Sequence, residues 1–197
     1  MNKLVIFFKM MNIVTNWQII IFVYFGIYNK EFFILNLKNG LKIKLRTNST
    51  DLQAFANVWV LEEYGIDDFK IIESDVIIDI GGHIGLFALF ASSKSKKGKI
   101  ISVEPYPNNF NLLKENMNNN NFRNIILINK AVSKTDKNLE LFVDSTDDAA
   151  HSIYKIGEEV IQIKGITLKQ IMLENQITKC DMLKIDCEGA EFEIIKS

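Results

Sequence analysis

The chain has little cysteine, little proline and almost no net charge. Its two cysteines, Cys180 and Cys187, fit neither a zinc knuckle nor a CxxC redox pair, so we expect reduced thiols in a cytoplasmic protein. A formal net charge of −1 gives no strongly basic surface, so nucleic acid is not an expected partner, although a local basic patch stays open. The 197 residues are 48% hydrophobic and 24% charged, which suits a globular protein with a buried core.

A long apolar run is also missing. Leu4–Phe8 is apolar, but polar residues interrupt the sequence after it, and Ile19–Tyr28 is far shorter than the roughly 20 residues needed to span a bilayer. A signal peptide would need an apolar run of about 7–15 residues and then a small-residue cleavage site, and neither is convincing. We therefore predict a buried or interfacial helix here, with contact between residues 1–28 and a membrane as the open alternative.

Residues 1–70 are predicted to form a small N-terminal extension made of helix and hairpin. Apolar residues alternate on both sides of Asn39-Gly40, which predicts a β-hairpin because both turn residues tolerate positive φ. A helix is predicted to begin in the segment 49–51, where three side chains offer N-cap oxygens, and to stop at Gly65.

Strands and helices alternate from residue 71 to residue 197. Short apolar runs predict six strands, at 76–80, 100–103, 125–128, 139–143, 160–163 and 182–185. The fourth and fifth of these are open to pairing as a hairpin. Alternation of strands with helices implies an α/β core with a parallel sheet and right-handed crossovers.

The first strand of this core runs into a glycine-rich turn that carries chemical information. Asp79 is followed by glycines at Gly81 and Gly85, and glycines at such a turn let the backbone approach a ligand closely. Nineteen residues after Gly85, Glu104 ends the second strand, where a carboxylate can accept hydrogen bonds from both hydroxyls of a ribose. Together these features indicate a cofactor that contains adenosine.

The spacing of the glycines separates the candidate cofactors. A dinucleotide site has the pattern GxGxxG around a pyrophosphate, and glycines at 81, 82 and 85 do not follow it. Asp79 disfavours a diphosphate and suits the ammonium of a methionine moiety. We therefore favour S-adenosylmethionine over a nicotinamide or flavin nucleotide.

Four segments of the sequence resemble the FkbM family of methyltransferases. They are Asp79–Gly85, Val103–Asn109, Ala131–Ser133 and Leu183–Glu191. The last segment contains the sequences KID and EGAE, which are characteristic of the family. The similarity covers about residues 30–195, and upstream Arg46, Asp51 and Tyr64 also stand where the family has similar residues. The resemblance implies the class I methyltransferase fold, a Rossmann-like parallel sheet with helices on both faces, and O-methylation of sugar or polyketide hydroxyls.

The candidate site residues follow from these motifs. We assign cofactor binding to eight residues, of which the last three rest on the resemblance alone: Asp79, Gly81, His83, Gly85, Glu104, Asn109, Ala131 and Val132. Asp186 and Glu188 follow the last strand, where either could position or deprotonate an acceptor hydroxyl, and Glu188 has helix capping as its alternative role. His151 is a further base candidate, with a surface-loop histidine as the alternative. No ligand cluster indicates a metal.

The expected protein is a cytoplasmic S-adenosylmethionine-dependent methyltransferase that acts on a hydroxyl of a sugar, glycolipid or other small acceptor. Its alternative is a non-catalytic adenosyl-binding remnant that serves as a scaffold. Two features depart from the family: Lys169 follows Thr167-Leu168 where an acid is common, and the chain stops at Ser197 where the family continues into another strand. We therefore expect a C-terminally incomplete core, with the strand at 182–185 on an open edge.

Overall fold

A computed structural model describes residues 3–64, 70–143 and 159–187 together with Ile194. In this part of the chain the elements follow in the order α1 (Lys3–Ile13), α2 (Gln18–Tyr24), β1 (Phe32–Asn36), β2 (Lys42–Arg46), α3 (Asp51–Trp59), β3 (Val76–Ile80), α4 (Leu86–Lys94), β4 (Lys99–Val103), α5 (Pro107–Asn118), β5 (Ile125–Ile128), β6 (Ala131–Val132), β7 (Asn138–Val143), β8 (Glu159–Ile166), α6 (Leu168–Glu174) and β9 (Met182–Ile185).

The centre of the fold is a parallel sheet with the strand order β5-β4-β3-β9. Its strands are short runs rich in isoleucine, as expected where both faces of a sheet are covered. Ile77 and Ile100 pack on one face with α4 and α5, whereas Ile78 and Ile101 pack on the other face with residues of β8 and α6. The predicted α/β architecture with apolar layers on both faces is therefore confirmed.

The last described strand lies where the sequence predicted it. β9 pairs only with β3 among the described strands, in a register that places Lys184 beside Asp79. β9 is thus an edge strand of the described sheet, and the expectation of an incomplete core stays a prediction.

A smaller sheet lies beyond β5 in the chain. β7 and β8 pair antiparallel, so the hairpin interpretation is confirmed, and β8 extends three residues further than predicted. This longer β8 also pairs in parallel with β6, which aligns Ala131 with Gly165 and Val132 with Ile166.

The N-terminal hairpin is confirmed, and it packs directly on the core. Phe33, Leu35 and Leu45 are buried in the same apolar cluster as helices α4 and α5. On α5, the Asn116 amide binds the backbone of β2: its Oδ1 accepts from N of Lys44 at 2.7 Å, and its Nδ2 donates to O of Lys44 at 3.1 Å. The side chain thus satisfies the strand edge as a further strand would.

Helix α3 begins as predicted but ends earlier. Its last residue is Trp59, so the predicted stop at Gly65 is wrong. The physical reason is local: N of Leu61 donates to O of Ala56 at 2.9 Å, and Glu62 then takes a φ of 48°, which turns the backbone out of the helix. At the other end Thr50 is the N-cap but makes no side-chain cap bond, whereas N of Asp51 donates to Oγ of Ser49 at 3.2 Å.

None of the helices in the described part of the chain is long and apolar enough to cross a membrane.

Candidate active site

Three predicted site residues lie at the same edge of the central sheet. Asp79 is near the carboxyl end of β3, Glu104 directly follows β4, and Asp186 directly follows β9. Because these strands are parallel neighbours, their carboxyl ends form one border, which is where open α/β sheets bind ligands. The sheet therefore brings together side chains that are up to 107 positions apart in the sequence, as from Asp79 to Asp186.

The glycine turn between β3 and α4 is shaped by close packing inside the protein. Gly81, His83 and Gly85 all have positive φ, of 79°, 50° and 88°. A Cβ on Gly81 would lie 1.8 Å from O of Asp186, and one on Gly85 would lie 2.6 Å from Cε of Met117. Gly81 is thus required by its contact with backbone, whereas Gly85 is favoured mainly by its positive φ, because the end of the Met117 side chain can move. The contact of either glycine with a cofactor stays a prediction.

Glu104 presents a buried carboxylate beside this turn. Its Oε2 accepts a hydrogen bond from N of His83 at 2.8 Å, and its Oε1 accepts one from N of Tyr106 at 2.9 Å. Burial raises the pKa of Glu104 to about 7, although the two backbone donors act in the opposite direction. A carboxylate offers roughly four acceptor positions, so two donors leave capacity for the hydroxyls of a ribose.

Asp79 does not face an open surface. Its side chain is fully buried; Oδ2 accepts a hydrogen bond from Oγ of Ser102 at 2.9 Å, and Oδ1 lies 3.0 Å from Nζ of Lys184. Lys184 also donates to O of Gly81 at 3.0 Å. Burial lowers the pKa of Lys184, but the charges of Asp79 and Asp186 more than offset this and hold it above its ordinary value. The cation beside Asp79 is therefore the Lys184 ammonium, which belongs to the neighbouring strand β9.

The N-terminal extension reaches the glycine turn through Arg46. The guanidinium forms a fork on the buried carboxylate of Asp51, with N–O distances of 3.0 and 2.8 Å. It also donates to Oδ1 of Asn109 at 2.9 Å and lies 3.0 Å from Nε2 of His83. His83 and Asn109, both predicted to bind cofactor, are thus held together by Arg46, which only the family resemblance signalled.

Asp186 lies at the exposed side of the same border. Its Oδ2 accepts a hydrogen bond from the hydroxyl of Tyr64 at 3.1 Å and lies 3.7 Å from Nζ of Lys184. Because the side chain of Asp186 is 60% exposed, a molecule in solution can reach it. Burial raises the pKa of Tyr64 to about 12, so its hydroxyl keeps its proton at neutral pH.

One residue at the border was missed by sequence reasoning. Asn129, directly after β5, donates from Nδ2 to O of Glu104 at 2.8 Å and to O of Pro105 at 2.9 Å. It therefore fixes the backbone that carries the Glu104 carboxylate. The sequence feature that could have indicated Asn129 is a polar residue directly after the apolar strand β5. The predicted residues Ala131 and Val132 follow it and are buried in β6.

Two predicted catalytic residues, His151 and Glu188, lie outside the described residues. Within the described ranges, no three histidine, cysteine or acidic side chains are grouped as ligands of a metal ion.

Two curated proteins similar to the chain are named as methyltransferases. Methyltransferase 1 of Beauveria bassiana is 26% identical over 145 residues, which cover 63% of this chain and 58% of that protein. Hexuronic acid methyltransferase AglP of Haloferax volcanii is 27% identical over 125 residues, which cover 63% of this chain and 50% of that protein. The chain thus spans between half and three fifths of the length of these two relatives.

Solved structures with a similar arrangement include TYW2 of M. jannaschii in complex with AdoMet. It is 26% identical, has a TM-score of 0.39, and the match covers 52% of this chain and 45% of that chain. A putative transferase of Pyrococcus horikoshii, PH0793, is 21% identical with a TM-score of 0.41, covering 53% of this chain and 38% of that chain.

The strongest evidence for the family of this chain comes from comparing its sequence with protein families. The methyltransferase FkbM domain matches residues 79–197, which is more than half of the chain and begins at the acid of the glycine turn. The match includes the turn, Glu104 and Asp186, the residues that the parallel sheet brings to one border. The chain belongs to the FkbM methyltransferase family.

Proposed function

We propose that the protein transfers a methyl group from S-adenosylmethionine to a hydroxyl group of a small acceptor, and that sugars are the acceptor class. The observation that carries the proposal is the buried Glu104 carboxylate, held by backbone donors beside a glycine turn at the ligand-binding border of a parallel sheet.

The chemistry of Glu104 fits the adenosyl group of this cofactor. Two neighbouring ribose hydroxyls are donors, and the carboxylate keeps acceptor capacity after its bonds to His83 and Tyr106. A buried carboxylate is stabilised by each added donor, which offsets the cost of its burial. The glycine turn beside it provides positive-φ backbone that brings N–H groups close to the same region.

Asp186 supports methyl transfer to oxygen. The sulfonium of S-adenosylmethionine supplies an activated methyl group, so the protein's task is mainly to align an acceptor hydroxyl with it. The exposed Asp186 carboxylate can accept a hydrogen bond from that hydroxyl while the Tyr64 hydroxyl and the Lys184 ammonium hold the carboxylate in place.

A sugar acceptor is supported by one relative. AglP is named for hexuronic acid methylation, and its similarity covers 63% of this chain. Sugars present several hydroxyls, which suits the exposed Asp186 carboxylate and the Tyr64 hydroxyl beside it.

The proposal is tested by separating binding from turnover. Calorimetry should show that the purified chain binds S-adenosylmethionine, and incubation with methyl-labelled cofactor and a panel of free and lipid-linked sugars, hexuronic acids included, should transfer label. Asp186→Asn should lower the rate and leave cofactor affinity within about twofold, whereas Asp136→Asn, a change in the loop before β7, should leave both the rate and the affinity unchanged. Binding without transfer to any acceptor would instead support the scaffold alternative.

A further inference from the structure

Four exposed apolar side chains lie in the last turn of α2 and the residues after it, and we name this group the aromatic knob. Phe22, Tyr24, Phe25 and Ile27 are 48%, 67%, 68% and 66% exposed. They lie within six residues of the chain, where N of Ile27 donates to O of Phe22 at 2.9 Å and the rings of Tyr24 and Phe25 are 5.4 Å apart. Several large apolar side chains gathered on a surface mark an interaction site.

The charged side chains of the segment that carries the knob are all lysines. Residues 1–30 contain Lys3, Lys9 and Lys30 and no acidic residue, in a chain whose formal net charge is −1. Lys9 and Lys30 are exposed, and the first acid of the chain is the exposed Glu31. The segment that carries the knob therefore has an excess of lysine over acid, even when Glu31 is counted with it.

A groove lined in part by Tyr28, whose N donates to O of the knob residue Phe22 at 3.1 Å, adds Lys42 to the exposed lysines. It has a volume of about 440 Å³, and its lining includes the ring-bearing residues Tyr28 and Phe32 and the ammonium-bearing residues Lys30 and Lys42. The nearby Lys44 lies over the ring of Phe32 but pairs with Glu115 at 2.7 Å. Lys30 and Lys42 thus give the groove a positive charge next to aromatic surface.

We infer that the aromatic knob and this groove dock on an anionic phospholipid membrane. Aromatic and aliphatic side chains partition into the interfacial region of a bilayer, while lysines are attracted to anionic headgroups, and this surface offers both. The helices lie on the membrane, since neither α1 nor α2 has the length to cross it. A symmetric contact between two copies would instead bring Lys30 and Lys42 of both copies together, with Glu31 as the adjacent exposed acid, so that the lysines outnumber the acid and repel each other.

Vesicle co-sedimentation tests the inference. We expect the chain to bind phosphatidylcholine vesicles that contain about 30 mol% phosphatidylserine. Binding should fall at least about tenfold with phosphatidylcholine alone and again when salt is raised to about 0.5 M, because salt screens the lysines. No binding to the anionic vesicles would overturn the inference.

Matched variants identify the surface. Phe25→Ser with Ile27→Ser should lower vesicle binding at least about tenfold, whereas Leu173→Ser, at a side chain on α6 that is 67% exposed, should leave it unchanged. Equal melting temperatures of all variants show that they fold. Unchanged binding by the knob variant would overturn the inference.

Charge reversal and solution state complete the test. Lys30→Glu with Lys42→Glu should abolish the preference for anionic vesicles, and Lys114→Glu on α5 should retain it. Analytical ultracentrifugation should show that the knob variant and the original chain have the same mass in solution. A dimer that the knob substitutions dissociate would show that a second copy, and not a membrane, covers the knob.

Discussion

At the scale of single residues, the site depends on buried charges whose partners come from other strands and turns. Glu104 is held by backbone donors, whereas Asp79 is held by Lys184. The two carboxylates differ accordingly. Glu104 is a carboxylate whose burial no nearby cation offsets fully, and Asp79 is one half of a buried ion pair. The environments of Glu104 and Asp79 therefore lead to different predictions.

Cofactor affinity should depend on the protonation of Glu104. Its pKa is raised to about 7 in the folded protein, and ribose hydroxyls favour the ionised form, so binding should release a proton below pH 7. We expect the affinity for S-adenosylmethionine to rise by up to about tenfold per pH unit between pH 5 and 7 and then to level off. Calorimetry at several pH values measures this, with Glu104→Gln expected to bind weakly and without the pH dependence.

The same shift has the opposite effect on the ligand-free protein. A carboxyl whose folded pKa lies above its unfolded value of 4.5 favours folding in its protonated form. Its contribution is complete below pH 4.5 and is lost as the pH rises through about 7. Glu104→Gln should therefore stabilise the ligand-free chain at pH 8 more than at pH 5, as measured by urea unfolding. An equal effect at both pH values would contradict the assignment.

Removing the Lys184 ammonium should leave Asp79 buried without a cation. We expect Lys184→Met to reduce the free energy of unfolding by about 3–5 kcal/mol, the cost of breaking a buried ion pair. The matched change Lys97→Met breaks an exposed pair with Glu73 and should cost less than about 1 kcal/mol. Urea denaturation measures the loss in the free energy of unfolding for both variants. Equal losses would show that the Lys184 pair contributes no more to stability than an exposed ion pair.

At the scale of elements, Arg46 joins four parts of the fold. It belongs to β2, its carboxylate partner Asp51 begins α3, His83 lies in the glycine turn, and Asn109 lies in the first half of α5. A planar guanidinium suits this position because it donates in several fixed directions at once. The hairpin thereby acts directly on the residues predicted to bind cofactor.

Replacing the guanidinium with an ammonium should loosen this junction. Arg46→Lys keeps the charge but loses the fork, so we expect a loss of about 1–2 kcal/mol in the free energy of unfolding and weaker binding of S-adenosylmethionine. The exposed Arg123→Lys is the matched control and should change neither quantity. If Arg46→Lys lowers stability but leaves cofactor affinity intact, the junction supports the fold alone.

At the scale of the whole molecule, the N-terminal extension shares its core with the parallel-sheet part. Phe33, Leu45 and Phe55 are buried in the cluster that also contains Leu89 of α4. The backbone of β2 is satisfied by the Asn116 amide of α5. The boundary at residue 70 stays a prediction, and these contacts make the two sides interdependent.

A fragment of residues 71–197 should accordingly fail to fold alone. Without the hairpin and α3, the apolar surface of α4 would be exposed and the Asn116 amide would lose its partners on β2. We expect the fragment to aggregate or to melt without a cooperative transition, as followed by circular dichroism. Cooperative melting at a temperature close to that of the full chain would instead show that residues 71–197 form an independent domain.

Much of the fold follows from short-range patterns in the sequence. The strands at 76–80, 125–128 and 182–185 have the predicted bounds, because runs of isoleucine, valine and leucine are specific to buried parallel strands. The hairpin at Asn39-Gly40 and the capped start of α6 at Thr167 follow from the same local chemistry. The end of α3 does not follow from a local pattern, because the backbone turns at Glu62, where no glycine indicates a turn.

The sequence by itself determined the glycine turn, the acid at the end of β4 and the order of the strands apart from the two-residue β6. Only the tertiary structure decided which charges meet: Lys184 with Asp79, Tyr64 with Asp186, and Arg46 with His83. Turns, caps and periodicity depend on neighbours within a few residues, so they can be read along the chain. Contacts such as Tyr64 to Asp186, 122 positions apart, depend on strand order and on the packing of the N-terminal extension, which no local pattern specifies.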